Sequence, residues 1–429
     1  MATSDINKPS EKYLALEKKR LICRHLKTGI EAVREAKYLR RHPTEKERIV
    51  GGQSIDPYQN RVDESRLTNM FSEAVDDAAG RAFAKPAKTS AETPAKLEDF
   101  LLDVDGQGSD FQVFGKEVAE TSVAEGIDFV LVDYPSRPGD ELLTEDQEKA
   151  LHLAPFWRRY SPANVIDWKV GKRGRNVRIL WVRLREWTDG AVQVRKLIAG
   201  NPDALKTDES RYVRFEVWAP VKQTELEGEW TMTEAGFMRP QVDIPLTECP
   251  SSLAAPFMAT PPYLDLAHLT IAHYRKMSAL DNSHNLAAFP VKYAAGFRPE
   301  DFGTGVLADG PENFFISPNE NASINIVEPT GEAWDSLRLE LDRMESKGKE
   351  LSAAPMVTEA TVQRTATDAV LAAAGRTSKL QSWVLGWQNA FNSCLYYTAI
   401  FLGIVEPDAE KGWGAIELNG QFLPLGSKV

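Results

Sequence analysis

The residues best suited to chemistry are few and scattered. Six histidines occur, His25, His42, His152, His268, His273 and His284. The last three share one expected helix, but spacings of 5 and 11 do not turn three imidazoles toward one metal. Packing or interface histidines are the simpler reading. Cys23, Cys249 and Cys394 lie far apart and are odd in number, which argues against a disulfide framework or a four-thiolate zinc site. Asp103-x-Asp105-x-Gln107-Gly108 matches the first half of a calcium loop, yet Phe114 stands at the twelfth position, where a bidentate Glu belongs. The other reading is a tight turn feeding a helix cap at Ser109. The chain has no GxxxxGK[ST] loop to cradle nucleotide phosphates, no GxSxG elbow and no HExxH pair. Its many carboxylates include no pair set apart in apolar sequence, as acid–base catalysis would ask. The expectation is a protein that is not an enzyme and holds no metal or cofactor.

The elements that would position such residues are α+β in kind. EKKRLICRHLKTGIEAVREAKYLRRH, with apolar Leu14, Leu21, Ile22, Leu26, Ile30 and Val33, reads as a basic helix with one buried face. A second helix is expected from Asp63 to Phe83, then an exposed linker over 84–96. A helix capped at Ser109 and closed by Gly126 precedes a strand, Ile127–Val132. From 155 to 245 runs such as VRILWVRLREW and RYVRFEVW predict an antiparallel sheet. Beyond a Pro-rich stretch at 250–262, Leu266, Leu269, His273, Met277, Leu280 and His284 recur at heptad-like spacing, as do Trp334, Leu337, Leu341 and Met344. Such seams pack helices lengthwise, within the chain or between copies. Gly-, Pro- and Asn-rich runs between them predict a small β-rich excursion. Leu380 to Thr398 follow helical spacing in a proline-free stretch that would span roughly 60 Å if about 40 residues long.

Composition bounds the rest. The 429 residues are 42% apolar and 26% charged, with 10 Trp, 18 Phe and 11 Tyr, which excludes disorder throughout and suits two or three packing units. Net charge is −11, but residues 1–50 carry 13 Lys and Arg against 7 Asp and Glu, so +6 there leaves −17 elsewhere. That balance argues against wrapping nucleic acid through phosphate contacts. The polar start MATSDINKPSEKY has no apolar core of a secretory signal, and the apolar stretch Tyr396–Val405 is about half of the roughly 20 residues a membrane span needs. A soluble, intracellular-type chain is expected.

Seven stretches, in order, carry a resemblance. They are AKYLRRHPTEKE (36–47), NRVDESRLTNMFSEAVDDAAGRAFAKP (60–86), FLLDVDGQGSDFQVFGKEVAETSVAEGIDFVLVDYP (100–135), RRYSPANVIDWKV (158–170), PPYLDLAHLTIAHYRKMSALDNSHNLAAFP (261–290), EPTGEAWDSLRLELDRMESKGKELSAA (328–354) and RTATDAVLAAAGRTSKLQSWVLGWQNAF (364–391). Together the chain resembles the portal proteins, or head–tail connectors, of tailed double-stranded-DNA bacteriophages, in a short-chain subfamily formerly catalogued as a domain of unknown function. No single stretch is diagnostic; their order carries the weight.

The resemblance implies a ring, usually dodecameric, at one capsid vertex, through which DNA is packaged and ejected. It implies a basic N-terminal segment (1–50), an α/β wing (51–262), stem helices at 263–289 and 329–348, a clip at 290–328 and a tunnel loop at 349–362. A long helix (363–405) with a minimal crown and a short tail (406–429) would follow. Stem packing would fall to the heptad residues above, clip contacts to Phe314 and Phe315, and channel contacts to Lys347 and Lys349, whose other reading is a solvated helix end. Implied partners are further copies of the chain, the major capsid or scaffold protein, the terminase large subunit, a tail adaptor and the passing duplex, with no membrane. The setting would be the virion vertex, and the host cytoplasm during assembly. Two rivals remain: another ring-forming head-completion or capsid protein, and a hydrolase or nuclease, for which no isolated carboxylate or His cluster is found.

Overall fold

Ile127–Asp133 is the strand around which the larger unit is built. Its β-branched and aromatic run is buried at all seven positions. Leu246–Pro250 and Phe156–Tyr160 pair with it antiparallel on either side. In a computed structural model of the chain, residues 5–43, 45–50, 53–135, 153–173, 176–188, 190–205, 207–221, 228–288, 291–296, 321, 323–327, 332–352, 366–407 and 409–418 are described. The chain divides into two units, one of Met1–Gly29, Asn69–His268 and Lys349–Val429, the other of Ile30–Thr68 and Leu269–Gly348.

In the first unit the central strand uses its alternation twice. Ile127, Phe129 and Leu131 join a core with Val182, Leu184, Val194 and Leu197 of a five-stranded antiparallel meander. That meander comprises Val165–Arg173, Asn176–Thr188, Ala191–Ile198, Val213–Pro220 and Trp230–Met238, each paired with its sequence neighbour. The opposite face, with Asp128, Val130 and Val132, meets helices. Trp157, opposite Val132 in the ladder, lies edge-on to Phe111 of the helix Phe111–Glu125 and stacks on Phe391 of the helix Ala366–Phe401. Its indole Nε1 donates to Thr398 Oγ1 at 2.9 Å. Trp387 Nε1 in turn donates to Ser122 Oγ at 3.1 Å, tying the two helices together.

Helix ends follow the local chemistry. Asp110, not Ser109, caps the helix Phe111–Glu125, its side chain accepting the Val113 amide at 2.8 Å. Gly126 closes it at φ 92°, where a Cβ would sit 2.6 Å from the Thr260 carbonyl oxygen. The helix expected over Asp63–Phe83 is two, Pro57–Glu64 and Met70–Ala82. Asn69 interrupts it, because its side chain caps the second helix by accepting the Ser72 amide. Likewise the basic helix runs Glu11–Thr28 and stops at Gly29, with φ 116°. The expected linker at 84–96 holds a short strand, Lys88–Thr89, paired with Ile416–Glu417, and the start of the helix Ala95–Phe100.

The second unit holds most of the helix Leu264–Ala288, the paired strands Val291–Ala295 and Ser323–Val327, and the helix Glu332–Leu351. The segment 30–68 packs beside them. Tyr274 exchanges a hydrogen bond with Ser65 at 2.7 Å, and Arg275 Nε donates to the Tyr38 carbonyl at 2.8 Å. Arg61 pairs with Glu45 at 2.6 Å and faces the Tyr58 ring, which Arg41 also covers. No helix among the described residues is long and apolar enough to cross a membrane.

Candidate functional site

The two helices that carry the heptad-spaced residues run antiparallel and touch at three side-chain pairs. Contacts run in opposite directions on the two helices: His273 Nε2 lies 3.2 Å from Glu345 Oε1, Lys276 pairs with Glu340, and His284 sits edge-on to Trp334 at 5.7 Å. Their residue numbers sum to nearly constant values, as antiparallel packing requires. His273, Leu280 and Leu341 are buried, while Leu269, Met277, Trp334, Leu337 and Met344 are half-buried. Leu266 is buried at the start of its helix, in the first unit.

The exposed side of Glu332–Leu351 mixes charged residues of both signs, Arg338 and Arg343 among them, with one apolar residue, Leu339, which is 58% exposed. Asp335, Leu339 and Asp342, at helical spacings of 4 and 3, are exposed together. Lys347 and Lys349 are exposed in the last turns of this helix rather than in a loop. Helix continues through Leu351 because nothing in SKGKEL breaks it, and Gly348 is tolerated at a buried position. Phe314 and Phe315 lie outside the described residues, as do positions 353–362 of the expected tunnel loop. The Asp103–Gln107 run forms a turn: Asp105 Oδ1 accepts the amides of Gln107 and Ser109, and Asp103 Oδ1 that of Gly108.

Sequence reasoning missed a set of charges buried in the first unit. Asp128 is fully buried on the helix side of the central strand. Its Oδ2 accepts Arg159 Nε at 2.7 Å, while Oδ1 has no hydrogen-bond partner. Burial outweighs Arg159 and pushes this carboxyl up to about 7. Glu186 accepts from Tyr160 and pairs with Arg195 at 3.0 Å, and Arg195 also reaches Asp133 at 2.5 Å. Burial and the adjacent Glu186 raise the Tyr160 phenol well above its ordinary value, so it stays a donor. Arg24 bridges Glu17 and Glu125, each at 2.6 Å. Burial works against that guanidinium, and its two carboxylate hydrogen bonds hold it protonated regardless. Alternation was the signal available for Asp128: in IDFVLVD it is the one charge inside an apolar run.

Apart from Asp128 Oδ1, the carboxylates of these clusters are engaged by Arg24, Arg159, Arg195 and Tyr160. A cavity of about 710 Å³ is lined by Lys96, Phe100, Asp103, Asp105 and Phe156 among others. Among the described residues no three His, Cys, Asp or Glu side chains are placed to share a metal ion.

One family profile, described as "Domain of unknown function (DUF4055)", matches residues 262–402, which takes in the helix pair, the paired strands between and the long helix. No curated protein matches the chain.

Proposed function

We propose that the chain is the subunit of a portal-type ring that conducts double-stranded DNA through a capsid vertex. The observation carrying this reading is the antiparallel helix pair held by His273–Glu345, Lys276–Glu340 and His284–Trp334, with two paired strands between its members and a 36-residue helix after it. Stem, clip, stem and long helix come in that order in the family the sequence resembles, and the family match covers the same elements. The ring would be a dodecamer or close to it, set among capsid or scaffold subunits.

The physics of the channel follows from charge. A conduit must not grip its cargo, since each Lys–phosphate contact adds a barrier to the next step. With −17 on residues 51–429, the wall repels the duplex from all sides and centres it. Asp335 and Asp342, exposed on one face of the stem-like helix, are the groups assigned to that wall. Lys347 and Lys349, at the end of the same helix, would damp sliding where the bore narrows. The chain lacks a phosphate loop, so ATP-driven pumping belongs to a separate terminase that docks on the clip and later gives way to a tail adaptor. The subunit itself is a passive conduit without catalytic activity.

Native mass measurement with top-view particle images of the full chain tests this. Closed rings of about twelve copies are expected. A strictly monomeric species at micromolar concentration would sink the proposal. A packaging assay separates a portal from another ring-forming virion protein: Asp342→Lys rings should translocate DNA more slowly, and unchanged packaging in capsids assembled without the chain would exclude the portal role.

A further inference from the structure

The five-stranded meander ends on two outer strands of opposite character. Trp230–Met238 exposes five residues in succession, Thr231 to Ala235, with Met232 42% exposed. Residues 228–238 hold Glu229 and Glu234, both exposed, and no Lys or Arg. At the other end Val165–Arg173 buries Val165, Ile166 and Trp168 but exposes Lys169 and Lys172. Its one acid, Asp167, is taken by Arg183, and the Ser10 amide already donates to the Ile166 carbonyl at 3.0 Å. The half of that strand from Lys169 onward is therefore the basic one. Among the described residues no further strand pairs with the outer side of either.

An outer strand without Lys or Pro is a template for another chain, here with a bulge between Met232 and Glu234 that leaves Glu234–Met238 as its longest regular part. The three-stranded sheet shows the contrast, since its outer strands carry no exposed residue. What can occupy the Trp230–Met238 edge is decided by charge. Two acidic edges repel each other, and so do two basic ones; only acidic on basic attracts. That rule forbids both self-pairings and leaves a head-to-tail contact, the kind that propagates around a closed ring.

We infer that the Trp230–Met238 edge of one copy pairs with the Val165–Arg173 edge of a second copy, continuing the sheet from subunit to subunit. The inference rests on the ring reading and deepens it by naming the joint. That joint lies outside the segment matched by the family profile. Within one chain the two edges are separated by four strand spacings, about 19 Å, so they cannot satisfy each other.

The test uses two reversals in the full chain. Glu229→Lys with Glu234→Lys makes both edges basic; Lys169→Glu with Lys172→Glu makes both acidic. All four side chains are exposed, and Glu234 also has a contact within its own chain, so circular dichroism and melting are measured beside assembly, and only a variant that keeps the native fold counts for or against the joint. Each variant alone should need about tenfold more protein, or worse, to form rings. An equimolar mixture should recover them, with the two chains alternating and the copy number even. If native chains form rings and either reversal assembles as they do, or the mixture fails to recover, the joint is wrong while the ring stands. A monomeric native chain overturns both.

Discussion

Asp128→Asn should make the protein more stable at pH 8 and leave it unchanged near pH 4, although it removes one member of a buried ion pair. Asparagine has the shape of a protonated aspartic acid, so the variant mimics the form that burial favours. The native carboxyl moves from 3.8 unfolded to about 7 folded. A group raised in this way contributes stability fully present below the unfolded value and lost as pH rises through the folded one. Three pH units at about 1.4 kcal/mol each set an upper limit of about 4 kcal/mol for the gap at pH 8. The opposing effect is the orphaned partner, which costs about 3–5 kcal/mol when a buried charge is left alone. Arg159 is not left alone: its side chain is 30% exposed, reaches Glu117 at 3.2 Å and donates to Thr121. Urea unfolding of native and variant chains at several values between pH 4 and 8 measures the gap. Taking the difference removes the contribution of ordinary carboxylates such as Glu45, which its bond to Arg61 holds below the usual range. A variant less stable than native at pH 8, with the deficit growing as pH rises, would show Asp128 to be ionised in the fold and refute the reasoning.

Trp157→Ala should cost about 3–5 kcal/mol, because the indole is 1% exposed and touches Phe100, Phe111, Phe114 and Phe391; chemical denaturation checks it, with Trp157→Phe losing less. Cys23, Cys249 and Cys394 should resist a thiol reagent in the native protein and all react once it unfolds, since burial raises the three thiols, Cys23 and Cys394 to about 12. Rapid labelling of any of them under native conditions would contradict the packing.

What could be read from sequence was local. The strand at Ile127, the closing glycine at 126 and the two heptad seams each announce themselves within a few residues, since periodicity and a positive φ are properties of short segments. The breaks at Gly29 and Asn69 were equally local, but they lost to a strong helical pattern running through them. The buried charges were not legible for a different reason. Asp128 and Arg159 are 31 residues apart and meet only because two strands pair in one register, with Val130 opposite Arg159. Glu125 and the Arg24 that binds it are 101 residues apart, on two helices that nothing in sequence brings together. For the same reason the two edges of the meander emerge only once strand order is known, since nothing in a strand's own residues says that no neighbour lies beyond.

The weave of the chain bears on how the matched segment can be inherited. The chain passes between its two units four times, at 29–30, 68–69, 268–269 and 348–349. Residues 262–402 therefore do not form a module: their first seven residues and everything from Lys349 onward complete the larger unit, while the middle completes the smaller. Cut out alone, the segment would carry Trp387 and Phe391 without Ser122 and Trp157, and Tyr274 without Ser65. A gene fragment encoding it could not be shuffled between proteins and fold. Selection must have kept it together with its surroundings, and changes in the long helix must be answered by changes 265 residues upstream, where Ser122 receives Trp387.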